Sequence, residues 1–238
     1  MGQYYNPVIL KKNWKNEKQP VVASLKCYDF DNGAKLMEHS YVGNRFVEAM
    51  MHLLHILDED RSGFPFVWCG DYADTINTPA IPQKEVLNEQ TGECHLEDGF
   101  QAWSLAYAWM EDKDDDEKDS AEYAAVKEMI KDASMHNYNY ILNHTKKEYV
   151  KVPKFKKDSW IIHPLPILTS DGNGKGSGDY SDQICINPEE KDLDKREYKD
   201  KPNKKFVGAW AYDTISVTNK FEDTKGYKKI DWEEELAY

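Results

Sequence analysis

The chain has 238 residues, with 31 Lys+Arg against 43 Asp+Glu, a formal net charge of −12 at pH 7. Hydrophobic residues make up 40% and aromatics 13%, which is enough apolar surface for a core and argues against wholesale disorder. The acid excess argues against a sequence-independent nucleic-acid binder, which needs a basic surface for phosphates, so direct nucleic-acid binding is not expected. No apolar run approaches the roughly 20 residues that span a bilayer, so no membrane partner is expected.

The first strands are predicted at 4–10 (YYNPVIL) and 21–28 (VVASLKCY), joined by the polar stretch KKNWKNEKQP as a hairpin loop. The lysines of that stretch follow the apolar residues rather than precede them, so the N-terminus does not read as a signal peptide and the expected location is cytoplasmic. Cys27, Cys69, Cys94 and Cys185 are widely spaced and form no CxxC pair, the pattern of free structural thiols. After the turn signal FDNG, apolar residues from Leu36 to Leu57 step by three and four, predicting one long N-terminal helical segment. Gly43 and Asn44 are unfavourable in its interior, so the segment reads as two helices or as one with a break.

FPFVWCGDY (64–72) suits a buried strand ending in a Gly-Asp turn, and 74–99 reads as loop. Helices are predicted at about 100–110 and 120–135 around the acidic linker EDKDDDEKDSAE. YNYILNHTKKEYVKV (138–152) reads as strand, turn, strand. WIIHPLPILT (160–169) reads as a strand whose prolines favour a sheet edge. A Gly-rich loop, a charged stretch over 188–205 and a strand at 206–218 follow, and the tail GYKKIDWEEELAY reads as a short strand or a docked end. Strands in hairpin succession with grouped helices predict an α+β fold with a largely antiparallel sheet. The whole, 1–238, reads as one domain, with 74–135 as a helical, acidic insertion.

Three features carry chemistry. GDYAD at 70–74 and GDYSD at 178–182 echo one another, and Asp71, Asp74, Asp179 and Asp182 would suit Mg²⁺, Mn²⁺ or Ca²⁺ if the loops converged. The competing reading is that Gly-Asp makes turns and the second Asp caps local backbone. Gly172, Gly174, Gly176 and Gly178, with Lys175 among them, permit a phosphate cradle, but no helix is predicted after them and neither a Walker nor a dinucleotide fingerprint is present. The run 111–122 holds eight acids and two lysines, and Asp112, Asp114, Asp115, Asp116, Glu117 and Asp119 are the expected contacts for a protein partner with a basic surface. Among the histidines, His39, His144 and His163 sit beside polar groups, as a general base would, but no nucleophile elbow accompanies them.

The blocks MGQYYNPVIL, KLMEHSYVGNRFVEAM, VWCGDYAD, LNHTKKEYV, WIIHPLPILTSDGNGKGSGDY and VGAWAYDTISV together resemble an "MGQYY" family associated with phages, prophages and mobile elements of bacteria. The similar blocks run from end to end, with 76–135 the least similar part. The resemblance implies a bacterial host cell as context and carries over no catalytic residue. The expected function is an acidic interaction protein of that type, in concrete form an inhibitor of a host nucleic-acid-handling defence complex. The alternative is a divalent-metal- or nucleotide-phosphate-binding protein or enzyme built on the GDYAD and GDYSD carboxylates, and no other cofactor is called for.

Overall fold

A computed structural model describes residues 3–87, 94–113, 115, 118–131, 138–172, 180 and 183–236. Twelve strands are distinguished among them: β1 (Tyr5–Leu10), β2 (Val21–Ser24), β3 (Phe64–Gly70), β4 (Gln83–Leu87), β5 (Cys94–Asp98), β6 (Tyr140–Asn143), β7 (Glu148–Lys151), β8 (Ser170–Asp171), β9 (Gln183–Cys185), β10 (Tyr198–Asp200), β11 (Thr214–Thr218) and β12 (Lys228–Lys229). The helices are α1 (Leu36–His39), α2 (Arg45–Leu57), α3 (Ala102–Met110), α4 (Ala121–Met129) and α5 (Pro164–Leu168).

Eight of these strands form one sheet, in the order β12-β7-β6-β11-β3-β1-β2, with β8 also paired to β3. All pairings are antiparallel except β12 with β7 and β8 with β3. The fold is therefore α+β with a largely antiparallel sheet. Strand β3 is its spine. It carries β1 on one side, and on the other β11 at Phe64–Pro65 and β8 at Trp68–Cys69.

Alternation along the strands sends residues to two faces. On one face Ile9, Phe66, Trp68, Ile141, Val150, Ile215 and Val217 pack into the main core with Phe46, Val47, Met50 and Leu54 of α2. On the other, Val8, Val67 and Cys69 pack with Phe100 and with Ala102 and Ala106 of α3. Helix α3 thus covers only the β1–β3 half of that second face.

The long N-terminal helix expected from periodicity is divided. Gly43 takes φ +85°, and Asn44 then caps α2 by accepting from the N–H groups of Phe46 and Val47. The apolar stepping was real, but a left-handed glycine and a side-chain cap start a new helix inside it. The strand expected at 160–169 is also corrected. Ile161 and Ile162 make isolated bridges, and Pro164 then sits at the start of α5, where its missing N–H costs nothing, with His163 as N-cap. Within 74–99, β4 and β5 form a two-stranded hairpin where a loop was expected. Of the strand expected at 206–218, only Thr214–Thr218 is extended. The hairpin at 138–152 is present as predicted, and of the two readings of the tail the short strand is found, at Lys228–Lys229.

Candidate functional site

The Gly70-Asp71 turn and the entry to the Gly-rich loop lie side by side, because the parallel β8–β3 pairing sets Asp171 against Cys69. Gly70 and Gly172 both abut Gln3: a Cβ at Gly70 would come within 2.4 Å of Gln3 Nε2, and one at Gly172 within 2.6 Å of Gln3 Oε1. A side chain at either position would require Gln3 to shift. The Gln3 side chain is buried, its Oε1 accepting from the Tyr5 hydroxyl at 2.8 Å while Nε2 has no partner among the described residues.

The carboxylates of this corner are already engaged locally. Asp71 Oδ1 accepts from the Tyr4 backbone N–H at 3.1 Å, and the Asp71 N–H donates to the Tyr4 carbonyl. Asp171 Oδ2 accepts from the Tyr212 hydroxyl at 2.8 Å. Burial raises the Asp171 carboxyl above the usual carboxylate range, the Tyr212 hydrogen bond opposes this, and the Asp74 charge adds to it. Burial pushes the neighbouring Cys69 thiol up to about 12, with the Asp171 and Asp71 charges assisting, which leaves it un-ionised and a poor nucleophile at neutral pH. Asp74 is exposed. No group of three His, Cys, Asp or Glu able to hold a metal ion occurs among the described residues.

Asp179 and Asp182, and with them Gly174, Gly176 and Gly178, lie outside the described residues. Tyr180 does not, and it separates the two echoed motifs. Tyr72 is 47% exposed, whereas Tyr180 is 5% exposed, donates to the Glu235 carboxylate at 2.8 Å and carries Lys201 over its ring. The two tyrosines of the echoed motifs therefore sit in different surroundings.

The acidic segment is a short, closed connection between α3 and α4. The Ser120 N–H bonds the Met110 carbonyl, the Asp112 N–H bonds the Lys118 carbonyl, and Glu111 bridges Asp119. Ser120 caps α4 by accepting from the Tyr123 N–H. Asp119 is drawn inward: it pairs with Lys26 and Lys127 at 3.0 Å each, while Asp29 takes Lys127 at 3.2 Å and the Tyr123 hydroxyl at 2.7 Å. This residue ties α4 to the 26–29 turn. Asp115 pairs with Lys118, and Asp112 lies beside a surface groove, while Asp114, Asp116 and Glu117 lie outside the described residues.

That groove, about 610 Å³, runs between the 18–21 segment entering edge strand β2, helix α3 and the acidic connection. Its apolar lining is Pro20, Val21, Leu105, Ala108 and Trp109. Its charged rim is Glu111, Asp112 and Glu122, with Lys18 and Lys113 also present.

The histidines singled out from sequence are structural. His39 and His163 are fully buried and neutral, held by burial at pKa values of about 4 and about 3. His144 bridges two hydroxyls, Ser216 Oγ at 2.7 Å and Tyr227 OH at 2.8 Å. The Ser216 side of that pair is 6% exposed, so the arrangement buries its would-be nucleophile. Gln3 and Tyr212 were not legible as site residues, since each acquires its role from a contact with the 170–172 corner far along the chain. Cys27, Cys69 and Cys185 are unbridged thiols, as expected. No helix among the described residues is long and apolar enough to cross a membrane. Compared with known proteins, the chain matches no family model, no curated protein and no solved structure.

Proposed function

We propose that this is an interaction protein of the phage or mobile-element type, which docks a basic partner on the acidic side of its sheet. The observation that carries this reading is that the acidic connection forms one lip of the groove of about 610 Å³, above an apolar floor. An apolar anchor in such a groove supplies affinity, and surrounding opposite charge supplies encounter rate and register. Segment 111–122 contributes eight acids against two lysines, a local charge of 2 − 8 = −6. A host nucleic-acid-handling complex is the concrete form of partner, because such proteins display basic surfaces for phosphate.

The test uses the full-length protein immobilised in parallel with a Glu111→Lys, Asp112→Lys, Glu122→Lys variant, both exposed to bacterial host lysate. A specific partner should be retained by the native chain at low salt, released at high salt and missed by the variant. Retention that is equal for both chains, or absent from both, refutes the reading.

A further inference from the structure

Between β7 and α5 the chain passes the start of α2. Val152 continues the β6–β7 pairing by donating to the Asn139 carbonyl, and the segment then runs through Pro153, Lys154 and Phe155. It returns at Ile161, whose carbonyl accepts from the Val42 N–H. The Phe155 ring is seated on Gly43, where a Cβ would come within 2.5 Å of its Cδ2. This strap, the first turns of α2 and His163 line a pocket of about 200 Å³. That is below the roughly 300–1,000 Å³ of sites for drug-sized ligands, so the space suits a small molecule.

Three polar side chains that line it have a group unmatched among the described residues. His163 is 2% exposed, and its Nδ1 accepts from the Leu165 N–H at 3.1 Å. The ring is neutral, so its hydrogen is on Nε2, and that N–H has no acceptor among the described residues. Glu48, in the first turn of α2, is half-buried, and its carboxylate takes no hydrogen bond or ion pair from them. Burial accordingly raises it above the usual carboxylate range. Lys154 pairs with no carboxylate among them, Glu48 included. Each residue also has a structural role, since His163 caps α5 and an acid in a first helical turn suits the helix dipole. Those roles leave a donor, an anion and a cation unmatched around one small space. A buried donor without an acceptor and a half-buried carboxylate without a donor are both costly unless something outside the chain meets them.

We infer that this pocket binds a small zwitterion with an apolar body, an apolar α-amino acid, whose ammonium meets Glu48 and whose carboxylate meets the His163 Nε2–H and Lys154. Its side chain lies against Val42, Met51, Val152 and Phe155, the apolar part of the lining. A simple cation would leave the His163 donor unmet, and a simple anion would face the Glu48 charge. A zwitterion answers all three groups, and charged hydrogen bonds in a partly desolvated pocket are the strong ones. The pocket shares no lining residue with the groove beside β2, so the inference does not rest on the partner reading.

The test is isothermal titration calorimetry of the full-length protein with L-valine, L-leucine and L-methionine. At least one should bind, at one site per chain. N-acetyl-L-leucine, which lacks the ammonium, and 3-methylbutylamine, which lacks the carboxylate, should bind about tenfold or more weakly than L-leucine. Glu48→Gln and His163→Asn should each weaken binding about tenfold or more, because each removes a charge-assisted hydrogen bond. Asparagine keeps an N-cap acceptor for α5, and circular dichroism checks that each variant is folded. A purely structural role would lower stability and leave affinity unmoved. Should His163→Asn not fold, Glu48→Gln and the two analogues decide. The inference is overturned if none of the three amino acids binds at millimolar concentration. It is equally overturned if either analogue binds as tightly as L-leucine, or if folded Glu48→Gln keeps the native affinity.

Discussion

Replacing His39 with leucine tests how the core is wired. The His39 ring has one tautomer available: Nδ1–H donates to the Gly33 carbonyl at 3.0 Å, and Nε2 accepts from Trp68 Nε1–H at 2.9 Å. Leucine is close in volume but offers neither bond. Gly33 lies at the surface, where water can replace the lost donor, but Trp68 is 0% exposed and its N–H would be orphaned. An unsatisfied buried donor costs about 1–3 kcal/mol, and losing the Gly33 bond adds about 1, so the variant should lose about 2–4 kcal/mol at neutral pH. Urea unfolding followed by circular dichroism measures this. In a Trp68→Phe background no donor remains to be orphaned, so His39→Leu should cost about 1–3 kcal/mol less there.

The same residue predicts a pH dependence. Burial lowers His39 from 6.5 to about 4, and an unfolded chain restores the higher value. Above the unfolded pKa neither state is protonated and His39 contributes no slope. As pH falls from there toward the folded pKa, only the unfolded state takes up the proton, and stability drops by about 1.4 kcal/mol per pH unit. His163, lowered by burial to about 3, adds a similar slope over the same window. Between about pH 6.5 and 5, His39→Leu should remove about 1.4 kcal/mol per unit from the native slope. An unchanged slope, or a variant as stable as the native chain, would refute the reasoning.

Three further outcomes are expected from the same unfolding assay. Asp119→Ala strands Lys26, whose side chain is 7% exposed, and should cost about 1–3 kcal/mol, while adding Lys26→Met should recover part of it. Gly63 takes φ +76°, and a Cβ there would meet the Ile215 carbonyl, a backbone atom, at 2.8 Å, so Gly63→Ala should cost about 2 kcal/mol or more. Tyr212→Phe removes the donor that opposes burial at Asp171 and should cost about 1–2 kcal/mol; a neutral result would show that Asp171 takes its proton at no cost.

The fold class was legible because its signals are local. Alternation around an Asn-His-Thr-Lys-Lys turn gives β6–β7, and the three- and four-residue stepping of Phe46, Val47, Met50 and Leu54 gives α2. The misreadings have equally local causes. The apolar run at 160–169 fits strand or helix by hydrophobicity, and Pro164 decided for a helix start once His163 had capped it. The β4–β5 hairpin lay in a stretch with neither clean period nor a two-residue turn.

Sites were far less legible, because a site is a meeting of distant residues. Sequence drew attention to Asp71, Asp74 and the Gly-rich loop, yet it held no sign that Asp171 would lie beside Cys69 and bond Tyr212, 41 positions away. Nor did it show that Asp119 would turn inward to Lys26.

By itself the sequence determined the class of fold, the free thiols and a charge of −12, because these follow from composition and short-range pattern. Only the tertiary structure decided where that charge acts. Strand order is set by long-range pairing, and that pairing put the acidic connection at the β2 edge and Lys228 and Lys229 at the β12 edge. The net charge sums over both edges, whereas a partner feels the field within about a Debye length, roughly 8–10 Å, of the one it approaches.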